Sequence, residues 1–350
     1  MSADLSLVLV TCRSSDVAPA AVASFRAGAA ALGLAGEVVI VDHSEDEVEE
    51  ARLEALAPDR LLALPNRGYA AGVNAGVAAS SGSTVLVGNP DIRFEPGSLA
   101  ALLAALEKGW DIAGPQFTLA GWLFPPADLQ TPGEQVARWL ATHTLAAWRW
   151  ELRRELARWR SVWEASEPLA VRGLSGALLA FRREVFDRIG PWDEGYFLYF
   201  EETDWLRRAA AAGLRRAQVP RARVEHVWGH AADPEAASHH FERSRRRYLV
   251  HHHGWRGALA NRLAGGFTPL QASPIPKDSE ALPRGRLQWL LSPTALGLPA
   301  AGLVGTGDEL TRALRSVAAV RGVRGCYLVL AMDAGGSGLV GAWTWGGGDG

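Results

Sequence analysis

Five carboxylates crowd one aromatic stretch of the chain: Trp192-Asp193-Glu194-Gly195-Tyr196-Phe197-Leu198-Tyr199-Phe200-Glu201-Glu202-Thr203-Asp204-Trp205. Paired carboxylates beside aromatic walls can raise one pKa toward the working range of a general base. Glu201, Glu202 and Asp204 also suit the first turn of a helix, where acidic side chains favour the dipole. A plain helix start does not require the aromatic loop ahead of it. Asp91 closes Leu86-Val87-Gly88-Asn89-Pro90-Asp91, just past an apolar run. A hard carboxylate there suits Mg²⁺ or Mn²⁺, which would bridge a diphosphate, although Asn-Pro-Asp taken alone reads as a turn. Asp42 ends another apolar run. It suits hydrogen bonds to a nucleobase or ribose and, equally, the N-cap of the acidic segment that follows.

Asn66-Arg67-Gly68-Tyr69-Ala70-Ala71-Gly72-Val73-Asn74-Ala75-Gly76 spaces three glycines four apart. That leaves one helix face bare, so that backbone or ligand can approach, with Asn66 and Asn74 bracketing the face. His226, in Val224-Glu225-His226-Val227-Trp228-Gly229-His230, follows a strand-like segment and is a candidate second protein ligand to the metal. His239, His240, His251, His252 and His253 read as surface or packing residues, with no zinc-binding pattern among them.

These residues need a frame. Apolar runs at 5–10, 37–41, 61–64, 84–87 and 111–113 alternate with helical stretches at 18–32, 45–56, 70–79 and 99–107. That alternation predicts a doubly wound α/β sheet, with ligands beyond the carboxyl ends of the strands. No Gly-x-Gly-x-x-Gly follows the first strand and no Walker A loop occurs, so phosphates would need a carboxylate-held divalent metal. Residues 134–165 carry five tryptophans and six arginines and read as one long helix or a helix pair. Residues 268–283 look like a linker, and 287–345 hold two or three strands and a helix. The net charge, 36 − 38 = −2 over 350 residues, argues against bulk nucleic-acid binding. Two cysteines exclude a disulfide framework and fit a reducing compartment. No basic leader precedes the first apolar run, and Pro293 and Pro299 break the uncharged stretch 287–307, so neither a secretory leader nor a membrane span is expected.

Taken together and in order, LSLVLVTCRS, VVIVDHS, NRGYAAGVNAG, GNPDIRF, GLSGALLAFRREVFDRIGPWDEGYFLYFEETDWLRRAAAAG, VEHVWGH and RSRRRYLVHHHG resemble the inverting family 2 glycosyltransferases of the GT-A fold. The match is to the bacterial rhamnosyltransferase-like branch that decorates cell-wall polysaccharides. The motifs span residues 5 to about 255. Beyond the resemblance, the residues read as a linker at 266–285 and a small C-terminal domain at 286–350; the resemblance implies a GT-A domain over 1–265 with a helical insertion at 134–165. It implies donor contacts from Thr11, Asp42, Asn66, Gly68, Asn74, Asn89 and Asp91, with Thr11 and Asp42 on the base and ribose. Asp91 and His226 would hold Mg²⁺ or Mn²⁺. Trp192, Asp193 and Gly176 would face the acceptor. Glu202 would be the general base, with Glu201 and Asp204 as fallbacks. Two departures stand out: Asn89 replaces the first aspartate of Asp-x-Asp, and Glu202 replaces an aspartate.

The implied reaction moves a sugar from a nucleoside-diphosphate sugar, dTDP-rhamnose or a UDP or GDP sugar, to a hydroxyl of a glycan or lipid-linked acceptor. The implied location is cytoplasmic, with peripheral contact at the inner face of the membrane. One reading of 134–165 makes it an interfacial helix there; the simpler one makes it an amphipathic acceptor-side helix. Self-association, acceptor choice and plain packing are the candidate uses of 286–350. The competing class is a non-catalytic GT-A-like carbohydrate-binding or scaffold protein.

Overall fold

The computed structural model describes residues 3–227, 234–263, 270–276, 278–320 and 325–347. Strands β1 (Leu5–Thr11), β2 (Gly36–Asp42), β3 (Arg60–Ala63) and β4 (Thr84–Gly88) run parallel in the order β3-β2-β1-β4. All seven residues of β1 are buried, as a strand covered on both faces must be. Helices α1 (Ala18–Ala31), α2 (Glu47–Glu54) and α3 (Tyr69–Ala79) make the crossovers. The glycine spacing in α3 serves contact with the sheet: a Cβ on Gly72 would meet Val10 Cγ1 at 2.6 Å, and one on Gly76 would meet Val8 Cγ1 at 2.3 Å.

The chain continues through β5 (Ile92–Phe94), α4 (Ser98–Glu107), β6 (Ile112–Leu119), β7 (Trp122–Leu123), α5 (Pro132–Ala141), α6 (Leu145–Trp163), β8 (Leu169–Ala170) and β9 (Leu178–Arg182). Next come α7 (Arg183–Ile189), α8 (Glu201–Ala211), β10 (Arg216–His226) and α9 (Pro234–Ala260). Strand β9 lies antiparallel between β4 and β6, while β10 pairs parallel with β6 and antiparallel with β5. The result is the mixed doubly wound α/β sheet of a GT-A fold. Its strand ends bring residues from positions 11, 42, 91 and 226 toward one rim.

The tail supplies β11 (Ser273–Pro274), β12 (Leu287–Ser292), β13 (Ala301–Gly305), α10 (Gly307–Ala318), β14 (Gly325–Met332) and β15 (Leu339–Gly347). Strands β12–β15 are antiparallel to one another and join the main sheet through the single pair Gly302–Leu123.

The 134–165 segment folds as the pair α5–α6. The apolar stripe of α6 (Trp148, Leu152, Leu156, Trp159) packs against Leu290, Leu328, Leu330 and Met332 of the tail strands. Burying four large side chains there is worth roughly 1.5–3 kcal/mol each before ordering costs. That stripe is covered by protein, which favours the acceptor-side reading of the segment over the interfacial one, while Val136, Leu140, Leu145 and Trp150 stay exposed. Among the described residues no helix is long and apolar enough to cross a membrane.

Candidate functional site

The nucleoside end of the rim comes from β1 and β2, whose last residues Thr11 and Asp42 are in register. Thr11 Oγ1 donates to Asp42 Oδ1 at 3.2 Å, and Asp42 also accepts from the Ser44 N–H at 3.1 Å and the Ser44 hydroxyl. Asp42 is therefore the head of a tight turn. The N-cap of α2 is Asp46, which accepts from the Val48 N–H at 2.9 Å, so the capping alternative for Asp42 falls. Asn66 lies exposed on the same edge, its amide Nδ2 3.9 Å from Cys12 Sγ and its Oδ1 accepting from the Gly68 N–H at 3.1 Å. Gly68 itself has φ +97°, and a Cβ there would meet the Phe197 carbonyl at 2.4 Å. Its space is taken by protein backbone, which corrects the expectation that it contacts a donor.

Asn89-Pro90-Asp91 is the turn between β4 and β5, and β10 places His226 opposite Ile92. His226 Nε2 consequently sits 3.3 Å from Asp91 Oδ1 and 3.5 Å from Asn89 Nδ2. The rings of Phe117 and Phe124, at 5.4 and 6.3 Å, fix the imidazole from behind. Both Asp91 and His226 are nearly buried, so an oxygen and an imidazole nitrogen face one small space. That donor pair suits Mn²⁺ or Mg²⁺, with diphosphate oxygens or water completing the shell. The rest of the motif, Trp228, Gly229 and His230, lies outside the described residues.

The carboxylate limb depends on backbone strain. Tyr199 and Phe200 are consecutive non-glycine residues in the left-handed region, with φ 69° and 71°. Each costs on the order of 1–2 kcal/mol and persists only where its surroundings hold it. They are held by the Tyr69 N–H donating to the Phe197 carbonyl at 2.8 Å, by Ser244 Oγ donating to the Leu198 carbonyl at 2.8 Å, and by burial of Phe200 with Tyr196, Tyr248 and Leu249. The reversal starts α8 so that Glu201 and Glu202 open its first turn.

Glu202 is partly exposed and lies against Gly176, where a Cβ would meet Glu202 Cβ and Cγ at 3.1 Å. The Gly176 N–H donates to its carboxylate. Burial pushes Glu202 above the usual carboxylate range in spite of these hydrogen bonds. Glu201 is 4% exposed, and its Oε2 has no hydrogen-bond partner. Burial and then the adjacent Glu202 push it well above that range. Adjacent carboxyls that are both pushed up resist ionising together, and Glu202, partly open and hydrogen-bonded by Gly176, is the better placed of the two to carry the charge.

Tyr69, absent from the sequence-derived candidates, joins the two limbs. Its hydroxyl donates to the Gly176 carbonyl at 3.3 Å. Burial, and then the charges of Glu201, Glu202 and Asp91, hold it protonated. One residue on, the Ala177 carbonyl accepts from the Asn89 N–H at 3.0 Å. Residues 176–177 therefore connect Glu202 to the Asp91–His226 pair. The signal for Tyr69 was present in the sequence: it follows the tight Gly68 and opens α3.

Three other expected roles are corrected. Asp204 is 2% exposed and bound to His252 Nε2 at 2.7 Å and Arg208 Nε at 2.9 Å. Burial would raise its pKa, but those two hydrogen bonds outweigh it and hold the carboxyl low, so it is spent as an ion pair and is no base. His251 also lies near, within 4.8 Å ligand-atom spacing, but the Arg208 guanidinium on the same carboxylate opposes a cation. Trp192 is 1% exposed, between Tyr69 and Trp205 at ring distances of 6.0 and 5.9 Å, and cannot face an acceptor. Asn74 straps it: Oδ1 accepts from the Trp192 N–H at 2.9 Å, and Nδ2 donates to the Trp192 carbonyl at 2.9 Å and to Glu194. That commits the Asn74 amide to the loop instead of the donor edge. Asp193, half-exposed, pairs with Arg247 at 2.8 Å.

A family model described as glycosyl transferase family 2 matches residues 6–190. An N-acetylglucosaminyl-diphospho-decaprenol L-rhamnosyltransferase from Mycobacterium tuberculosis is 31% identical over 265 residues, covering 68% of this chain and 84% of that protein. Among solved structures, the mannosyltransferase PcManGT from Pyrobaculum calidifontis, in complex with GDP-Man and Mn²⁺, aligns with TM-score 0.47 and 16% identity, over 77% of this chain and 67% of that one. GalNAc-T7 with UDP, GalNAc and Mn²⁺ aligns with TM-score 0.44 and 16% identity, over 64% of this chain but only 44% of that one.

Proposed function

The chain belongs to glycosyl transferase family 2, and from that premise we propose that it is an inverting, divalent-metal-dependent transferase of a sugar from a nucleoside-diphosphate donor to a lipid-linked acceptor hydroxyl. The observation that supports it most is the meeting of Asp91 and His226 at 3.3 Å, with Asn89 tied through 176–177 to the segment that cradles Glu202. Rhamnose is the sugar suggested by the mycobacterial relative's name, and so is a diphospho-polyprenol acceptor; dTDP is our choice of carrier for it.

In this reading Thr11, Asp42 and Asn66 take the nucleoside end of the donor. Asp91 and His226 hold Mn²⁺ or Mg²⁺, which when bound stabilises the departing diphosphate. Glu202, ionised while Glu201 stays protonated, accepts the proton of the acceptor hydroxyl as that oxygen attacks the anomeric carbon. Tyr69 steadies the Gly176 peptide that orients Glu202. A single displacement inverts the anomeric centre, and no nucleophilic side chain is required. Residues 286–350 brace the α5–α6 pair on the acceptor side, and the chain works peripherally at the cytoplasmic face of a membrane.

Calorimetry with dTDP, UDP and GDP, with and without Mn²⁺, tests the reading. The wild type should bind at least one of them in a Mn²⁺-dependent manner, and Asp91→Ala should abolish that dependence. Binding that is indifferent to both metal and substitution would leave the scaffold alternative standing.

A further inference from the structure

Helix α9 presents two unlike faces. The inner one clasps the carboxylate limb: Ser244 bonds to Leu198, His252 to Asp204 at 2.7 Å, and the His253 ring to Arg207 at 3.1 Å. The outer one carries Arg243, Arg246 and Val250 at helical spacing, all exposed. At Gly254 (φ 56°, ψ −135°) the helix breaks, and the next turn shows Trp255 at 72% and Leu259 at 56% exposure, with Arg256 stacked over the indole at 5.4 Å. This turn is fixed: a Cβ on Gly257 would meet the Leu249 carbonyl at 1.9 Å, so the break packs tightly onto the helix before it. Arg243, Arg246 and Arg256 have no ion pair among the described residues.

We propose that the outer face of α9 and its Trp255 turn form the contact of this protein with an anionic lipid surface. Large exposed apolar side chains set among unpaired arginines match a headgroup layer, where indoles settle at the interface and cations meet lipid phosphates. A second copy of the chain is a poorer occupant, because a two-fold contact would set arginines against arginines. The contact deepens the lipid-acceptor part of the proposed function. The inner face would then carry the anchoring directly to α8, delivering Glu202 at a defined height above the bilayer.

The test is co-sedimentation of the full chain, without donor, with vesicles of phosphatidylcholine with or without phosphatidylglycerol. Wild type should bind only the anionic vesicles, and high salt should weaken binding. Arg243→Gln with Arg246→Gln should lower the partition about 25-fold, about fivefold for each arginine. Trp255→Ala with Leu259→Ala should release the protein as well. Trp150→Ala, at a position 58% exposed on α6, should bind as wild type. Mn²⁺-dependent nucleoside-diphosphate binding serves as the folding control, and its loss in wild type would fail the donor reading without touching this one. Equal binding to neutral vesicles, release by Trp150→Ala, or no vesicle binding overturns the proposal. So does a dimer in ultracentrifugation that Trp255→Ala dissolves while no vesicle binding is seen.

Discussion

Gly176→Ala isolates the placement of Glu202 from its chemistry. The added methyl would lie 3.1 Å from both Glu202 Cβ and Cγ and 3.4 Å from Cδ. Ordinary contact needs a few tenths of an ångström more. Glu202 has little room to yield by moving its backbone, because the left-handed pair Tyr199–Phe200 fixes the start of α8. The shift therefore falls on the carboxylate, which moves by about 0.5 Å. A misplacement of about 1 Å at a reacting group costs about a hundredfold, so about tenfold in kcat is expected here. Overpacking one methyl costs about 1 kcal/mol, or a few degrees in Tm. Release of nucleoside diphosphate at saturating donor and acceptor reads the effect, with donor KM and diphosphate affinity unchanged. Full kcat in this variant would refute the placement of Glu202 by Gly176. A rise in acceptor KM alone would refute it too, and would return Gly176 to the acceptor-side role implied by the resemblance.

Glu202→Gln removes the proposed base and should lower kcat by about 10²–10⁴, with Mn²⁺-dependent diphosphate binding intact; wild-type turnover would move the role to Glu201. Glu201→Gln should bear on stability through pH. The folded-state pKa of Glu201 is raised, so its contribution is fully present below the ordinary glutamate pKa and is lost as pH rises toward the raised value. The variant should therefore gain in Tm on the wild type as pH goes from acidic to alkaline, and a constant difference in Tm would show that Glu201 is not held protonated by burial.

Much of the frame was legible because it is periodic. A short apolar run such as Leu-Ser-Leu-Val-Leu-Val favours a strand covered on both sides, and its alternation with alanine-rich helices favours a wound sheet. The site was legible in residue type and less so in role. Asp91 and His226 were each placed near a strand end, but their contact came from β10 running antiparallel to β5, a non-local pairing. Asn74 looked like a ligand group because nothing local uses its amide; its partner is the backbone of Trp192, more than a hundred residues away. The Trp-rich face of α6 read as amphipathic, but amphipathicity names a face without naming what covers it. Here the cover is the tail sheet.

The sequence by itself determined that this is a wound α/β chain with Asp42, Asp91 and His226 at strand ends and a carboxylate cluster at the start of a helix. Only the tertiary structure sets Glu201, Glu202 and Asp204 in three different environments. Side chains that near each other in a helix leave it in different directions and meet different neighbours: a closed interior where one carboxylate oxygen has no partner, the Gly176 peptide at a partly open edge, and the His252–Arg208 pair. Those neighbours come from remote parts of the chain. Local pattern fixes what a carboxylate is, and the elements packed around it fix whether it is buried, paired or able to take a proton.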